Sequence, residues 1–360
     1  MKSIQTIFYI SLCLFFTQEI LAQAQTKSTF MGSSLINMPT TEDVGKDNLD
    51  FRFNHRFGNA SQTLRTFGGL DQGANTQLSL DYGLSDKWSI GIARTSAYQT
   101  YEARTKYKIL NQNDSMPISL SFFGVAGQET AKETIKYDTY INPPSVANYI
   151  NLPSQVSSQI DTYIKQEANE YELSDADKRS YLASILISKR FTDRFSLQIS
   201  PMYVHRNFVK SQLGNDRTGL DIGGRIKLTK RIDLTFEAIF SPKRDYQGNN
   251  YYTEDRYTKY PGLNTLTGFE INQQYNNPQG LAYAALRNIY LDKSVKYYYI
   301  PISLGVDIET GGHVFQFFVT NSRTIAHTQL LRGADYDYKK GEWALGFNIH
   351  RYFSFAADVE

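Results

Sequence analysis

The chain has 360 residues and carries 26 Tyr and 22 Phe but only 2 Trp, at a formal net charge of +2. So many aromatic rings argue against a disordered chain, and the near-neutral charge argues against a nucleic-acid binder. Beyond the N-terminus no run of about twenty apolar residues is present, which excludes a helical membrane protein.

The N-terminus carries the features of an export signal. Lys2 is followed by an apolar run at 7–16 and then by small residues around Ala22. The run is too short to cross a bilayer and has the length of a signal-peptide core. We predict a signal peptide over residues 1–22 and a periplasmic N-terminal lead over residues 23–48.

The chain contains a single cysteine, Cys13, inside this apolar run. A lipoprotein attachment site would need a small residue before the cysteine, but Leu12 stands there. The mature chain is therefore expected to have no cysteine and to need no disulfide in an oxidising compartment.

From residue 49 onward, apolar and polar residues alternate. In 49–57 the odd positions are apolar or aromatic except His55, and the even positions are polar, which predicts a strand with one apolar face. Further segments show the same pattern, and most have the length of a tilted strand that crosses a bilayer. We predict twelve strands, at 49–57, 75–83, 88–96, 101–110, 117–126, 181–191, 195–205, 217–229, 232–240, 297–308, 314–321 and 343–353.

The lengths of the connections alternate as well. Short turns follow the even-numbered strands, whereas the long segments near 58–74, 127–180, 241–296 and 322–342 follow odd-numbered strands. Outer-membrane barrels have short periplasmic turns and long extracellular loops. The pattern predicts an all-β, transmembrane antiparallel up-and-down β-barrel over residues 49–355, in the outer membrane, with both chain ends in the periplasm.

Two of the long loops have patterns of their own. In 154–172, apolar residues recur at helical spacing, which indicates either a helix packed above the rim or a lid folded into the mouth of the barrel. In the loop at 241–296, the pieces 265–272 and 281–290 could add one more strand pair. Fourteen strands are therefore the alternative count.

Several stretches in the first part of the predicted barrel resemble a known family. They are FRFNHRFG at 51–58, GLDQGAN at 69–75, SLDYGLSDKWSIGIAR at 79–94 and YKILNQ at 107–112. Over residues 50–125 the sequence is similar to an uncharacterised family of membrane-bound β-barrels of Bacteroidota-type bacteria. The resemblance implies an outer-membrane barrel and supplies no catalytic or binding residues.

The alternation also assigns side chains to the inside of the barrel. This interior is charged with both signs, and its acidic and basic groups are expected to pair, because unpaired charge in a narrow lumen is costly. The pairs either fill the barrel as a network or line a conduit for anionic or polar solutes. Arg94 falls on the lipid side of its strand, and a β-bulge is expected to return it to the lumen. The predicted lumen-lining residues are Arg52, Asn54, Arg56, Asp81, Arg94, Glu102, Arg104, Lys106, Lys108, Asp221, Arg225, Asp233 and Glu237.

No catalytic or metal-binding pattern is recognisable in the sequence. The five histidines are scattered without metal-ligand spacing, and the nearest arrangement to a nucleophile with a base is His55 with Ser61. The segment 69–75 lacks the spaced carboxylates of a calcium loop. We expect no enzyme, no cofactor and no metal, with a membrane enzyme of the lipase or protease type as the alternative.

The sequence thus indicates a barrel in outer-membrane lipid that acts as a narrow passive channel for small polar or anionic solutes, or as a membrane scaffold. A further alternative is a component of a larger assembly, with another outer-membrane or periplasmic protein as partner. No nucleic-acid partner is expected. If the barrel conducts, the stripe of Arg104, Lys106 and Lys108 predicts a preference for anions.

Overall fold

The computed structural model describes residues 28–131, 174–207, 215–242 and 299–355. No helix in these ranges is long and apolar enough to cross a membrane. Each strand pairs antiparallel with its neighbours in sequence, and the first pairs with the last, so the sheet closes into a barrel. The strands are β1 (Asn48–Asn59), β2 (Asn75–Gly83), β3 (Trp88–Thr95), β4 (Thr100–Leu110), β5 (Ser119–Glu129), β6 (Arg179–Arg190), β7 (Phe195–Arg206), β8 (Asp216–Lys227), β9 (Ile232–Phe240), β10 (Ile302–Glu309), β11 (His313–Thr320) and β12 (Ala344–Ser354).

The predicted antiparallel barrel of twelve strands is confirmed. β10 pairs directly with β9, so the ring closes without a further strand pair between them. The pieces 265–272 and 281–290, on which the alternative of fourteen strands rested, lie outside the described residues, as does the helix predicted over 154–172. β10 begins at Ile302 rather than at 297.

The outer face of the barrel is a belt of large apolar side chains. Because neighbouring residues of a strand point to opposite faces, every second position along each strand is exposed on this side. In a barrel that crosses a bilayer, such a belt is the surface that meets the hydrocarbon. Members of the belt are Leu78, Leu80, Ile90, Ile92, Phe122, Ile185, Ile199, Leu304, Phe317, Val319 and Leu345.

The two ends of the barrel differ. The short turns at 84–87, 111–118, 191–194, 228–231 and 310–312 lie together at one end, which we call the turn end. The opposite end, which we call the loop end, carries the longer connections and also the short link between β3 and β4. Short turns are a feature of the periplasmic side of outer-membrane barrels, so the turn end is the periplasmic end.

Arg94 corrects one of the predictions. β3 keeps a continuous register with both β2 and β4, so no bulge turns this side chain inward. Arg94 is exposed on the outer face near the loop end, where its Nε donates a hydrogen bond of 3.2 Å to the Tyr101 hydroxyl. Its guanidinium also lies 5.5 Å from the centre of the Tyr101 ring. A long side chain at this depth reaches the headgroup region, so no bulge is needed.

The interior of the barrel contains the N-terminal part of the described chain. Residues 28–44, which we call the plug segment, form a narrow hairpin in which Leu35 N–H donates to Met38 O at 2.8 Å and Thr40 N–H donates to Ser33 O at 2.9 Å. The prediction placed these residues in a periplasmic lead over 23–48, and for the plug segment that prediction is wrong. The hairpin enters the barrel from the turn end and has its tip at 35–38.

A close backbone approach marks the point where the plug segment gives way to β1. A Cβ added to Gly83 would collide with the carbonyl oxygen of Gly45. Gly45 itself has a φ of +84°, which favours glycine. Two glycines thus let the chain turn from the interior into the wall against the end of β2.

The two kinds of outer-face residue lead to a stability prediction. We expect Ile199→Arg to destabilise the barrel by about 2–4 kcal/mol, because it places a charge near the middle of the apolar belt. Arg94→Leu, in contrast, should change stability by less than about 1 kcal/mol, because Arg94 lies near the rim. Urea unfolding in phospholipid vesicles measures both, and equal losses for the two variants would contradict the assigned depths.

Candidate functional site

The tip of the plug segment is bound by a carboxylate of the wall. Glu237 on β9 accepts hydrogen bonds from Asn37 N–H at 2.7 Å, Met38 N–H at 2.8 Å and Asn37 Nδ2 at 2.9 Å. Asn37 and Met38 form the turn of the hairpin, where the backbone N–H groups have few partners of their own. A negatively charged side chain is a strong acceptor for such groups.

Other wall residues bind the remaining backbone groups of the hairpin. Gln198 on β7 donates to Pro39 O at 2.8 Å and accepts from Thr41 N–H at 3.1 Å. Arg56 on β1 and Asn348 on β12 both donate to Ile36 O, at 3.2 and 3.0 Å. Further contacts come from β4, β6, β8 and β11. Because the contacts come from all sides of the ring, the plug segment is enclosed by the wall.

The basic stripe of β4 has specific partners. Arg104 donates to Asp81 at 2.9 Å, and Asp81 also pairs with Arg52 of β1. Lys106 donates to Thr40 O at 3.2 Å and to Glu42 O. Two of the three cations in the stripe are therefore engaged with a carboxylate or with the plug segment.

A second segment closes the barrel from the loop end. Residues 321–343, which join β11 to β12 and which we call the cap segment, fold inward through a short 3-10 turn at His327–Arg332. Glu102 accepts from Thr328 N–H at 3.2 Å and contacts His327 Nδ1 at 3.0 Å. Burial, the largest effect, lowers the pKa of the His327 imidazole, whereas Glu102 raises it. Arg332 pairs with Glu129 at 2.8 Å.

An apolar cluster joins the plug segment to the cap segment. Met38, at the tip of the plug segment, shares this cluster with Leu330 and Leu331 of the cap segment. The wall contributes inward residues of β5, β6, β7 and β9 near the loop end. These wall residues are Phe123, Val125, Leu182, Leu186, Met202, Val204 and Ile239.

The inward side chains at mid-height show that the lumen is filled. A water-filled channel would leave such side chains accessible to solvent, yet Asp81 is only 9% exposed and Arg104 only 5%. The same burial holds around the ring, for Ser121, Ser184, Ser200, Asp221, Thr235, Asp307, Gln316 and Asn348. In the part of the chain that the structure describes, the barrel is closed by the plug segment, the cap segment and the cluster between them.

The predicted lumen-lining residues fall into three groups in the structure. Most are buried on the inner side of the wall, whereas Lys108 is half-buried near the turn end and Arg94 is on the outer face. Arg225 pairs with Asp233 at 2.7 Å. The buried residues are Arg52, Asn54, Arg56, Asp81, Glu102, Arg104, Lys106, Asp221, Arg225, Asp233 and Glu237.

Sequence reasoning missed the plug segment, the cap segment and the neutral wall residues Gln198, Gln316 and Asn348. One signal was present in the sequence: Phe30, Leu35, Ile36 and Met38 are apolar residues in a stretch that the prediction exposed to the periplasm. All four are buried in the structure. An apolar stretch without alternation and next to a barrel is a candidate for its interior.

The side chains considered for catalysis are not assembled into a site. His55 lies on the outer side of β1, stacked on Phe347 with ring centres 5.1 Å apart, and no hydrogen bond joins it to Ser61 among the described contacts. His205 contacts Asp216 at 2.7 Å near the loop end. Within the described ranges, no group of three His, Cys, Asp or Glu residues could hold a metal ion.

A closed antiparallel barrel with an apolar outer belt is a transmembrane β-barrel of the outer-membrane type, and the protein is located in the outer membrane. Residues 30–353 match the model of the family described as Membrane bound beta barrel domain (DUF5777), and the chain belongs to that family. The resemblance to an uncharacterised family of membrane-bound β-barrels, noted over residues 50–125, is therefore confirmed and extends over nearly the whole barrel.

Similar solved structures include the KdgM porin, with 6% identity and a TM-score of 0.39 over 85% of this chain and 99% of that chain. The COG4313 outer membrane channel from Pseudomonas putida F1 has 9% identity and a TM-score of 0.39 over 93% and 100%. Omp33 of Acinetobacter baumannii has 5% identity and a TM-score of 0.32 over 86% and 100%. Curated proteins give no match. Similarity at this level carries no information on what this chain binds or conducts.

The contacts of Glu237 predict how firmly the plug segment is held. Thr40 is fully buried in the plug segment, and Cys13, the only cysteine of the chain, lies in the predicted signal peptide. Thr40→Cys therefore gives a single reactive thiol when that peptide is left out of the expressed protein. We expect a maleimide to label it about tenfold faster or more in Glu237→Ala, because each buried N–H left without a partner costs about 1–3 kcal/mol.

The control for this measurement is Glu309→Ala in the same Thr40→Cys background. Glu309 accepts from Gly311 N–H in a turn and does not bind the plug segment. Labelling should stay at the rate of the parent there. Equal rates in all three proteins would show that Glu237 does not hold the plug segment.

Proposed function

We propose that this protein is a plugged channel of the outer membrane, through which small polar solutes, anions included, pass when the plug segment moves. It is a passive conduit and not an enzyme. The observation that carries the proposal is the chemistry of the inner wall: the plug segment is held by polar and charged side chains. A wall of this kind accepts water in place of the hairpin, as the wall of a water-filled pore must.

The charges around the plug segment support a preference for anions in the open state. Lys106 and Arg56 donate to backbone oxygens of the plug segment, and both lose these partners when the segment moves. Glu237 loses its N–H partners at the same time and opposes them. The preference for anions therefore depends on Arg56 of β1 and Lys106 of β4, and we expect a weak selectivity.

A second candidate, a membrane scaffold, is favoured by the apolar cluster. Met38, Leu330 and Leu331 belong to one buried apolar cluster inside the barrel, as expected for an interior that stays closed. As a scaffold, the protein would act through its surface on another outer-membrane or periplasmic protein. The two candidates differ in one property, the ability to conduct.

A reversible lock distinguishes the two candidates. Thr41 of the plug segment and Ser188 of β6 touch through their hydroxyl groups, so the pair Thr41→Cys and Ser188→Cys places two thiols side by side. In planar bilayers we expect conductance steps from the wild type, none from the oxidised pair, and steps again after reduction. The single variant Ser188→Cys controls for the substitutions and should be insensitive to oxidant.

A deletion covers the case in which the wild type is silent. Removal of residues 28–44 together with the 3-10 turn of the cap segment, His327–Arg332, should give large and persistent steps if these two segments are what close the channel. Heat-modifiable gel mobility and a β-type circular dichroism spectrum show whether each variant is folded. A folded deletion variant without any conductance would rule out the channel, and a cation preference would rule out the proposed role of Lys106 and Arg56.

A further inference from the structure

We propose that the turn end of the barrel carries a binding site for soluble multivalent organic anions, formed by Arg190, Arg194, Lys227 and Lys230 around a cavity whose floor is the plug segment. This site is distinct from the filled lumen above it. Ligand binding there does not require conduction, so the proposal stands or falls separately from the channel.

The cavity is open towards the turn end and has a volume of about 820 Å³. That volume lies within the range of about 300–1,000 Å³ that is typical of small-molecule sites. Arg190 at the end of β6 and Arg194 in the following turn form one part of its wall. Lys227 at the end of β8 and Lys230 in the next turn form the adjoining part.

These four cations are not neutralised by the described part of the chain, where no carboxylate oxygen lies within 4 Å of their side-chain nitrogens. Arg225, which also lines the cavity, differs because it pairs with Asp233 at 2.7 Å. Four convergent positive groups at one mouth repel each other, and a multivalent anion relieves that repulsion while it gains charge-assisted hydrogen bonds.

The acidic residues at the cavity have other contacts. Glu309 accepts from Gly311 N–H at 2.9 Å within its own turn. Asp193 also takes part in an interaction of its own. Neither carboxylate is within ion-pair distance of the four cations, so the positive field of the wall is left for a ligand.

The floor of the cavity indicates a ligand with some apolar surface. Met31 of the plug segment is half-buried at this floor and so presents apolar surface to the cavity, whereas its neighbours there, Phe30 and Val314, are each only 3% exposed. An inorganic ion would leave this floor unused. A compact organic skeleton with two or three carboxylate or phosphate groups fits both parts, with its charges on the wall and its carbon atoms on Met31.

Citrate is a suitable probe, measured by equilibrium dialysis against the protein in phosphatidylcholine nanodiscs at about 50 mM salt, where screening is moderate. We expect saturable binding of one citrate per chain. Arg190→Glu with Arg194→Glu should weaken it about tenfold or more, because two attractive contacts become repulsive.

The matched control is Lys87→Glu with Arg231→Glu. These two cations are exposed in turns at the same end, do not line the cavity, and change the net charge by the same amount. Binding should stay within about twofold of the wild type there. No saturable binding in the wild type, or an equal loss in the control, would overturn the proposal. The milder pair Lys227→Gln and Lys230→Gln, expected to weaken binding less, tests the other half of the wall if the glutamate variant does not fold.

A second arm distinguishes a soluble anion from a lipid headgroup, which offers the same phosphate chemistry. The measurement is repeated in nanodiscs that contain phosphatidylglycerol. Unchanged citrate binding supports a soluble ligand. Loss of citrate binding in the wild type and equally in the control variant would show that an anionic lipid occupies the cavity, and the assignment to soluble anions would be wrong.

Discussion

The structure depends on one constraint: every polar backbone group of an irregular segment inside a barrel must find a partner in the wall. The strands satisfy their own N–H and C=O groups around the closed ring, but the plug segment has only a short hairpin ladder. Buried backbone groups without partners are costly, and water is scarce in a filled barrel. The wall must therefore supply amides, carboxylates and cations at matching heights.

This constraint explains the charged interior better than ion transport alone does. Glu237 serves the two N–H groups at the hairpin turn, and Lys106 serves carbonyl groups near its return strand. The negative side chain thus faces backbone N–H groups, and the positive side chain faces backbone carbonyl oxygens. Farther from the hairpin, the charges pair with each other, as Asp81 does with Arg52 and Arg104.

The alternation of the sequence predicted the strands because a lipid-exposed face and an enclosed face must differ at every step along a strand. It could not predict what occupies the enclosed side, since a wall that binds a hairpin and a wall that binds water have the same polar residues. The plug segment shows no regular alternation of apolar and polar residues, so the sequence pattern could not predict that it lies inside the barrel. Arg94 was misassigned for another reason: whether a bulge forms is decided by pairing with Leu78 and Tyr101 on neighbouring strands, and that information is not local.

The cap segment and the apolar part of the wall show the same limit. Phe123, Leu186 and Met202 point inward, against the rule that the inner face is polar, because they meet Met38 and the two leucines of the cap segment. Only the contact between three distant parts of the chain makes these positions favourable. The sequence of one such strand shows only that both of its faces are apolar, and this pattern does not predict a filled barrel.

The energetics of the plug segment constrain how the channel can open. Leu35, Ile36 and Met38 are 1%, 2% and 0% exposed, and burial of such side chains contributes about 1.5–3 kcal/mol each. The hydrogen bonds add less, about 0.5–1.5 kcal/mol each, because water replaces them when the hairpin leaves. Full removal therefore costs at least about 5 kcal/mol, so the open fraction at rest is below about one in a thousand.

The hairpin can leave only towards the turn end, where both of its arms run, whereas the cap segment can leave only towards the loop end. Passage therefore needs both segments to move. Because the plug segment and the cap segment share the apolar cluster, release of one segment weakens the binding of the other.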